Sequence, residues 1–158
     1  MKKIIVLIAY AIVPFGATSQ SILTVTDIPY LSGAQFSSEF ATAVSFNGNP
    51  AVFPPASGFG FGMYSEKKFM TEGLNTLVLS AGIFRERSAF GIGLHYFGDP
   101  EYNEMTPRIN YSRSMGRINI GVGLSYTILS IAGFPKQSAP GITLSCTWKL
   151  SENIYAGL

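Results

Sequence analysis

The sequence predicts an all-β fold built from antiparallel, up-and-down strands, and three observations lead to this prediction. The composition is rich in Gly, Phe and Tyr, with 17, 12 and 8 residues, a balance that favours strands and turns over helices. From residue 58 onward, apolar residues alternate with small or polar ones, which is typical of strands with two unlike faces. Turn signals separate these stretches at short intervals, as they do in a series of hairpins.

The first 19 residues are predicted to be a secretory signal peptide. Two lysines precede an apolar run from Ile4 to Phe15, small residues follow at Ala17 and Ser19, and cleavage is expected before Gln20. The apolar run is shorter than the roughly 20 residues that a spanning helix needs. A retained anchoring helix is the alternative. The prediction implies that the mature chain is exported.

Charge and cysteine content narrow the expected partners. Once Lys2 and Lys3 are removed with the signal, the 11 basic residues of the sequence become 9 and balance the 9 acidic ones. The mature chain then has no basic stripe of the kind that nucleic-acid binding needs, so nucleic acid is not an expected partner. Cys146 is the single cysteine, which rules out an internal disulfide in the chain. It falls on an apolar strand face and is expected to act as a small hydrophobe.

Residues 20–57 are predicted to form a loop-rich segment ahead of the strands. They contain many Ser, Thr, Ala, Phe and Pro residues and show little sustained periodicity. One short helix is expected around residues 37–44. A turn is expected at Asn49, Pro50 and Ala51, since Asn and Pro are strong turn formers.

Seven strands are expected in residues 58–158. Each shows the two-residue alternation described above. Their expected ranges are 58–66, 75–85, 89–97, 108–114, 116–129, 142–150 and a last strand that begins at residue 154. Single-chain bacterial barrels use an even number of strands, from eight upward, so these strands are expected to be the front part of a longer barrel or one unit of an assembly of several chains.

The connections between the strands are predicted to alternate between long and short without exception, an asymmetry that transmembrane barrels show. Expected strand lengths of about 9 to 12 residues match the roughly 9 to 11 of a tilted spanning strand. Aromatic residues near the strand ends are expected to form two interfacial girdles. They are Tyr64, Tyr96 and Tyr126 at one end, and Phe84 and Trp148 at the other. The sequence therefore predicts an antiparallel up-and-down transmembrane β-barrel.

One face of each strand is expected to contact lipid and the other to line the barrel, because acyl chains can cover apolar side chains that no protein core covers. The residues expected to face lipid are Leu77, Leu79, Ile92, Leu94, Ile120, Val122, Leu124, Leu144 and Trp148. The residues expected to face the lumen are Gly91, Gly93, His95, Asn119, Gly121, Gly123, Ser125, Thr127 and Lys149.

The stretch SGAQFSSEFATAVSFNGNPAVFP, residues 32–54, resembles the start of the FadL and PorV/PorQ group of outer-membrane barrels. In that group an N-terminus rich in Gly, Ala and Ser leads to an Asn-Pro-Ala turn before the first strand. The later INYSRSMGRINIGVGLSYTIL is similar to the group's recurring hairpin. The resemblance implies that residues 20–57, with their turn at Asn49, Pro50 and Ala51, fold inward as a hatch. It also implies passage of long-chain fatty acids and other hydrophobic small molecules, or assistance to type IX secretion.

No catalytic residue, cofactor or metal site is expected. The glycines of GFGFG and GIG are not followed by the third glycine and the helix that a dinucleotide-binding loop needs. His95 is the single histidine, so no histidine cluster can bind a metal, and no particular serine is selected to join it and Asp99 in a triad. Arg108 and Lys149 are interpreted as solvated rim charges or as contributors to an anion-attracting lumen.

Two functions of different classes follow. The first is an outer-membrane β-barrel of a Gram-negative bacterium that contacts outer-membrane lipids and passes hydrophobic small molecules or assists secretion-system proteins. The second is a secreted, soluble β-sandwich that acts in adhesion or as an interaction module. A barrel is expected to fractionate with outer membranes, whereas a sandwich is expected to stay soluble without detergent.

Overall fold

The computed structural model describes residues 41–52, 57–67, 75–151 and 154–157. The predicted signal peptide and the beginning of the 20–57 segment lie outside the described residues. Within these ranges a single short helix precedes seven strands, which confirms the all-β prediction. The elements are α1 (Ala43–Gly48), β1 (Gly58–Lys67), β2 (Asn75–Arg85), β3 (Ser88–Gly98), β4 (Tyr102–Met115), β5 (Ile118–Ile131), β6 (Gln137–Lys149) and β7 (Tyr155–Gly157).

The strands form one antiparallel sheet in which each strand pairs with the next along the chain, in the order β1 to β7. The predicted up-and-down arrangement is therefore confirmed. The sheet is curled into a half-barrel. Laid flat, β1 and β6 would lie about 24 Å apart, at about 4.8 Å for each neighbouring pair. Yet the short segment from Val44 to Ala51 contacts both β1 and β6, so the sheet wraps around that segment.

The strand register sorts the side chains into two unlike faces. We call the face that contacts α1 the inner face and the opposite one the outer face. One cross-strand row of the outer face consists of Phe61, Ala81, Ile92, Ile109, Leu124 and Ile142. The neighbouring row of the inner face consists of Gly62, Ser80, Gly93, Arg108, Ser125 and Gly141. Large apolar residues thus lie outside, and small or polar residues lie inside.

Helix α1 lies later in the chain than the sequence predicts. The expected helix covers residues 37–44, of which residues 37–40 lie outside the described residues, whereas α1 begins at Ala43. Thr42 is the reason, because it caps the helix: its hydroxyl accepts the backbone N–H of Ser45, and the Ser45 hydroxyl accepts the N–H of Thr42. Asn49 ends the helix in an extended conformation, because Pro50 disfavours the helical conformation in the residue that precedes it.

Strands β4 and β6 begin earlier than predicted, at Tyr102 and Gln137. Each contains a proline that the sequence predicts to lie in a loop. The β4–β5 register omits Thr106 and Pro107 while the β3–β4 register is continuous, so Pro107 lies at a gap in the β4–β5 ladder. Pro140 lies where β7 does not pair with β6, a position that tolerates a missing N–H.

The predicted alternation of shorter and longer connections is kept by the four connections from β2 to β6, but the long ones are much shorter than predicted. Because β4 starts at Tyr102, the third connection shrinks to residues 99–101, and the fifth consists of residues 132–136. The second and fourth are the two-residue turns 86–87 and 116–117, as expected of tight hairpins. The first connection falls on residues that are not described.

The core lies between α1 and the inner face. Phe46 of α1 packs edge-to-face on Phe84 of β2, with ring centroids 5.3 Å apart, and Ala43 and Ala89 complete the cluster. The interpretation of Phe84 as a girdle residue is therefore wrong, because its position in the alternation turns it inward. Tyr64 also lies on the inner face, where its hydroxyl donates to Glu66 at 2.8 Å. Both residues share their strand face with glycines rather than with the large apolar side chains.

Candidate functional site: the inner face and the segment bound to it

Residues 42–52, which we call the inner segment, lie against the inner face. Glycines of the strands make this approach possible, because the neighbouring atoms occupy the space that a side chain would need. A Cβ atom at Gly91 would lie 2.7 Å from the Phe46 ring, and one at Gly93 would overlap the Asn47 amide. At Gly121 it would overlap the backbone of Pro50 and Ala51. These glycines are needed for close approach rather than for an unusual backbone conformation.

The C-terminal end of α1 is held by two polar side chains of β4. The Asn110 amide donates to the carbonyl oxygens of Phe46 and Asn47 at 3.0 and 3.3 Å, and Arg108 donates to the Asn47 carbonyl at 3.0 Å. The last carbonyls of a helix lack partners within the helix. Asn110 is only 1% exposed, so without it these carbonyls would lie buried and less well paired, which costs about 1–3 kcal/mol for each group lost.

The Asn-Pro-Ala residues form a turn that is bound to β6. The Val52 N–H donates to the Asn49 carbonyl at 3.1 Å, as in a β-turn. The Ala51 N–H donates to the Asn49 side chain and to the Ser145 hydroxyl, both at 3.0 Å. The Thr147 hydroxyl donates to the Ala51 carbonyl at 2.9 Å. Both polar groups of the Ala51 backbone are therefore paired with β6.

The start of the inner segment is held by β2. The Ser80 hydroxyl donates to the Ala43 carbonyl at 2.6 Å. Together with the bonds from β4 and β6, this places side chains from three separate strands on backbone groups of the inner segment. Such side-chain-to-backbone bonds satisfy polar groups that would otherwise be buried without partners.

The residues predicted to line the lumen all belong to the inner face, but they do different things there. Gly91, Gly93 and Gly121 contact the inner segment, and Gly123 lies beside Asn110. The other five residues lie on the same face and have other surroundings. Asn119 donates to Thr147, and Thr127 pairs with Thr106. Ser125 lies beside Gly141, His95 is half-buried, and the exposed Lys149 lies over the Tyr155 ring.

The residues predicted to face lipid all belong to the outer face. The largest exposures are those of Leu144 at 76% and Leu124 at 55%. Ile92, Ile120, Val122 and Trp148 are also exposed, while Leu77, Leu79 and Leu94 are half-buried by their neighbours. Around Ala81, whose side chain is small, the outer face has an apolar depression of about 220 Å³. Phe61, Leu79, Ile92 and Leu94 surround it.

Sequence reasoning missed the four side chains that matter most for the inner segment. These are Ser80, Asn110, Ser145 and Thr147, all of them buried. The available signal was weak: each is a polar residue at an inner-face position, and such residues are common on that face. Alternation predicts the face of such a residue, but it does not predict which backbone group the residue will bind.

No group of three or more His, Cys, Asp or Glu side chains in the described ranges is arranged to hold a metal ion. Asp99 accepts the backbone N–H groups of Glu101 and Tyr102 at 2.9 and 2.8 Å, so its carboxylate orders the loop after β3. What the arrangement does offer is a binding surface for a length of polypeptide.

Comparison with protein-family models, with curated proteins and with solved structures finds no match to this chain. Among the residues that the structure describes, no helix has the length and apolar character needed to cross a bilayer. The functional proposal therefore rests on the fold and on the geometry of its two faces.

Proposed function

We propose that the curled sheet is the wall of an outer-membrane β-barrel in a Gram-negative bacterium, with lipid on its outer face and the inner segment belonging to a hatch. Its function is the passage of hydrophobic small molecules, as the resemblance to FadL-type barrels implies. The role in secretion that PorV-type barrels have is the other activity the resemblance implies. The observation that carries the proposal is the apolar outer face, which no residue of the described ranges covers.

The outer face is apolar over most of its height. On β5, Ile118, Ile120, Val122, Leu124 and Tyr126 are all exposed. From Ile118 to Ile128 the strand rises about 34 Å at about 3.4 Å per residue, and a tilt of about 45° reduces this to a height of about 24 Å. Transmembrane barrels carry an apolar band of about 25 Å, so the exposed face has the height that a bilayer would cover.

The ends of this face are more polar than its middle. Beyond the row that contains Ile128 lies a row with Asn75, Asn103 and Ser130, near the connections that follow β1, β3 and β5. At the opposite end, Trp148 lies on the outer face next to Ile118. A tryptophan at the edge of an apolar band is typical of a membrane–water interface.

A hatch role for the inner segment is supported by how it is held. The inner segment is held by buried apolar side chains, with Phe46, Pro50 and Val52 fully buried, and by several hydrogen bonds to the sheet. Hydrogen bonds to a polar wall contribute only about 0.5–1.5 kcal/mol each, so no single bond locks the segment in place. Removal of such a segment would open the space between it and the wall.

The experiment compares neighbouring positions on the two faces of β6. In a Cys146→Ala background, Leu144→Cys and Thr143→Cys are each labelled with a fluorophore, and the chain is refolded into lipid vesicles. Quenching by lipids that carry a nitroxide on the acyl chain should be strong at position 144 and weak at position 143. Equal quenching at both positions, or a chain that stays soluble without detergent, would overturn the proposal and favour the β-sandwich.

Transport is tested separately. Cells that produce the full chain should take up a labelled long-chain fatty acid faster than cells that produce a variant whose hatch is locked. In the Cys146→Ala background, Ala51→Cys with Ser145→Cys provides the lock once mass spectrometry shows that the disulfide has formed, since the Ala51 N–H lies 3.0 Å from the Ser145 hydroxyl. Uptake that is the same with and without a reductant would contradict the passage role while leaving the membrane location intact.

A further inference from the structure

The two ends of the half-barrel differ in charge. At the end with the two-residue turns, the described residues include one acidic side chain, Glu86, and five basic ones: Arg85, Arg87, Arg113, Arg117 and Lys149. At the opposite end, the described residues include two basic side chains, Lys67 and Lys136, and four acidic ones: Glu66, Asp99, Glu101 and Glu104. We call the four arginines of the first set the tight-turn rim.

The arginines of the tight-turn rim lie close together along one edge. The Ser114 N–H donates to the Arg87 carbonyl at 2.9 Å, so the first turn touches the end of β4. Arg85 and Arg113 share one cross-strand row, with Ser88 between them. All four arginines are exposed, and none forms an ion pair with a carboxylate in the ranges that the structure describes.

The position of two of these arginines indicates what kind of molecule the tight-turn rim binds. Arg85 and Arg113 point to the outer face, in the row next to Ile83 and Tyr111. Whatever covers the outer face here must therefore be apolar beside Tyr111 and negatively charged beside Arg113. A nucleic acid or an acidic peptide supplies the charge without the apolar surface. A phospholipid leaflet with anionic headgroups supplies both, because its phosphates lie at the border of its acyl chains.

We propose that the tight-turn rim binds the anionic headgroups of the phospholipid leaflet around it and so fixes which end of the barrel faces that leaflet. This inference rests on the proposed membrane location. Guanidinium groups suit the role, since they form paired hydrogen bonds to phosphate oxygens. The opposite end, with its excess of carboxylates, would be repelled by the same headgroups.

The test measures how the full chain partitions onto vesicles by flotation. Vesicles of phosphatidylcholine alone are compared with vesicles in which about a third of the lipid is phosphatidylglycerol, the anionic component that the basic residues should attract, at low and high salt. The rim variant is Arg85→Gln with Arg113→Gln, and the matched control is Lys67→Gln with Lys136→Gln at the opposite end. Both pairs are exposed and remove two positive charges.

The unchanged chain should prefer the anionic vesicles, and high salt should abolish the preference because it screens surface charge. Each basic residue near an anionic surface is worth about fivefold in partition, the equivalent of about 1 kcal/mol. The rim variant should therefore lose roughly 30-fold in partition onto anionic vesicles, and the control should keep the preference.

Three results would overturn the inference. One is an equal loss of preference in the rim variant and in the control. Another is efficient entry of the unchanged chain into phosphatidylcholine vesicles with no preference for phosphatidylglycerol, which would leave the membrane location standing. The third is tight binding of a polyglutamate peptide that depends on Arg85 and Arg113, since it would assign the rim to an acidic protein. Failure to enter any vesicle would instead contradict the proposed function itself.

Discussion

The two faces of β5 show an inversion of the usual pattern. In a soluble sheet, large apolar residues are buried and small or polar ones face water. On β5, Gly121 and Gly123 are buried, whereas Val122 and Leu124 beside them are exposed. The inner face is covered by a segment of the same chain, and nothing in the described residues covers the outer face. Residue size on each face therefore reflects what lies against that face.

A charge in the middle of the outer face should have the largest effect on stability. Leu124→Arg should destabilise the protein in phosphatidylcholine vesicles by about 2–4 kcal/mol, because the bilayer centre cannot solvate a guanidinium. Ser130→Arg is the matched control on the same strand and face, near the edge of the apolar band. It should cost about 0–1 kcal/mol. Urea unfolding of vesicle-bound protein measures both, and equal costs would argue against a bilayer on this face.

The next test concerns glycines of the inner face that differ in what lies above them. Gly121→Ala should cost about 1–3 kcal/mol, since the new methyl group meets the backbone of Pro50 and Ala51, which has little room to move. Gly141→Ala meets only the end of the Ser125 side chain, which can rotate away. This control should be neutral or stabilising by about 0.4–1 kcal/mol.

Urea unfolding in detergent micelles distinguishes these two glycine variants, because the expected effects differ in sign. Protease protection of the inner segment provides a second readout, since a displaced turn should become cleavable in the Gly121→Ala protein and stay protected in the Gly141→Ala protein. Equal stability of the two variants would mean that the inner segment does not rest on β5.

Alternation in the sequence predicts much of this sheet because each face imposes its own residue type. The range of β2 is predicted without error, since Leu77, Leu79, Ala81 and Ile83 recur at every second position and a turn follows Arg85. The start of β4 is missed because Pro107 is typical of a loop end. A proline fits in a strand at a position where the backbone N–H is not needed for a hydrogen bond to the next strand. Whether a position is of this kind depends on how the neighbouring strand pairs with it.

The site was less predictable for a physical reason. Alternation places Gly121 and Asn110 on one face, and the turn at Asn49 and Pro50 follows from local preferences. The contact between them depends on the path of the chain in three dimensions. The Asn110 amide could bind water, a side chain or a backbone carbonyl with similar energy. Only the position of α1, set by its cap at Thr42, selects the carbonyls of the helix end.

The smallest change in stability is expected for substitutions of two threonines on the inner face of β6. Thr147→Val keeps the shape of the side chain but removes the hydroxyl that donates to the Ala51 carbonyl, and it should cost about 1 kcal/mol. Thr143→Val is the control, since its hydroxyl makes no hydrogen bond within the described residues, and it should change stability by less than about 0.5 kcal/mol.

Combining Thr147→Val with Ser145→Ala should cost less than the two separate losses would add up to, because both hydroxyls hold the same residue. Strict additivity in urea unfolding would mean that each hydroxyl acts alone, and the turn would then be held at two independent points instead of being released as one unit.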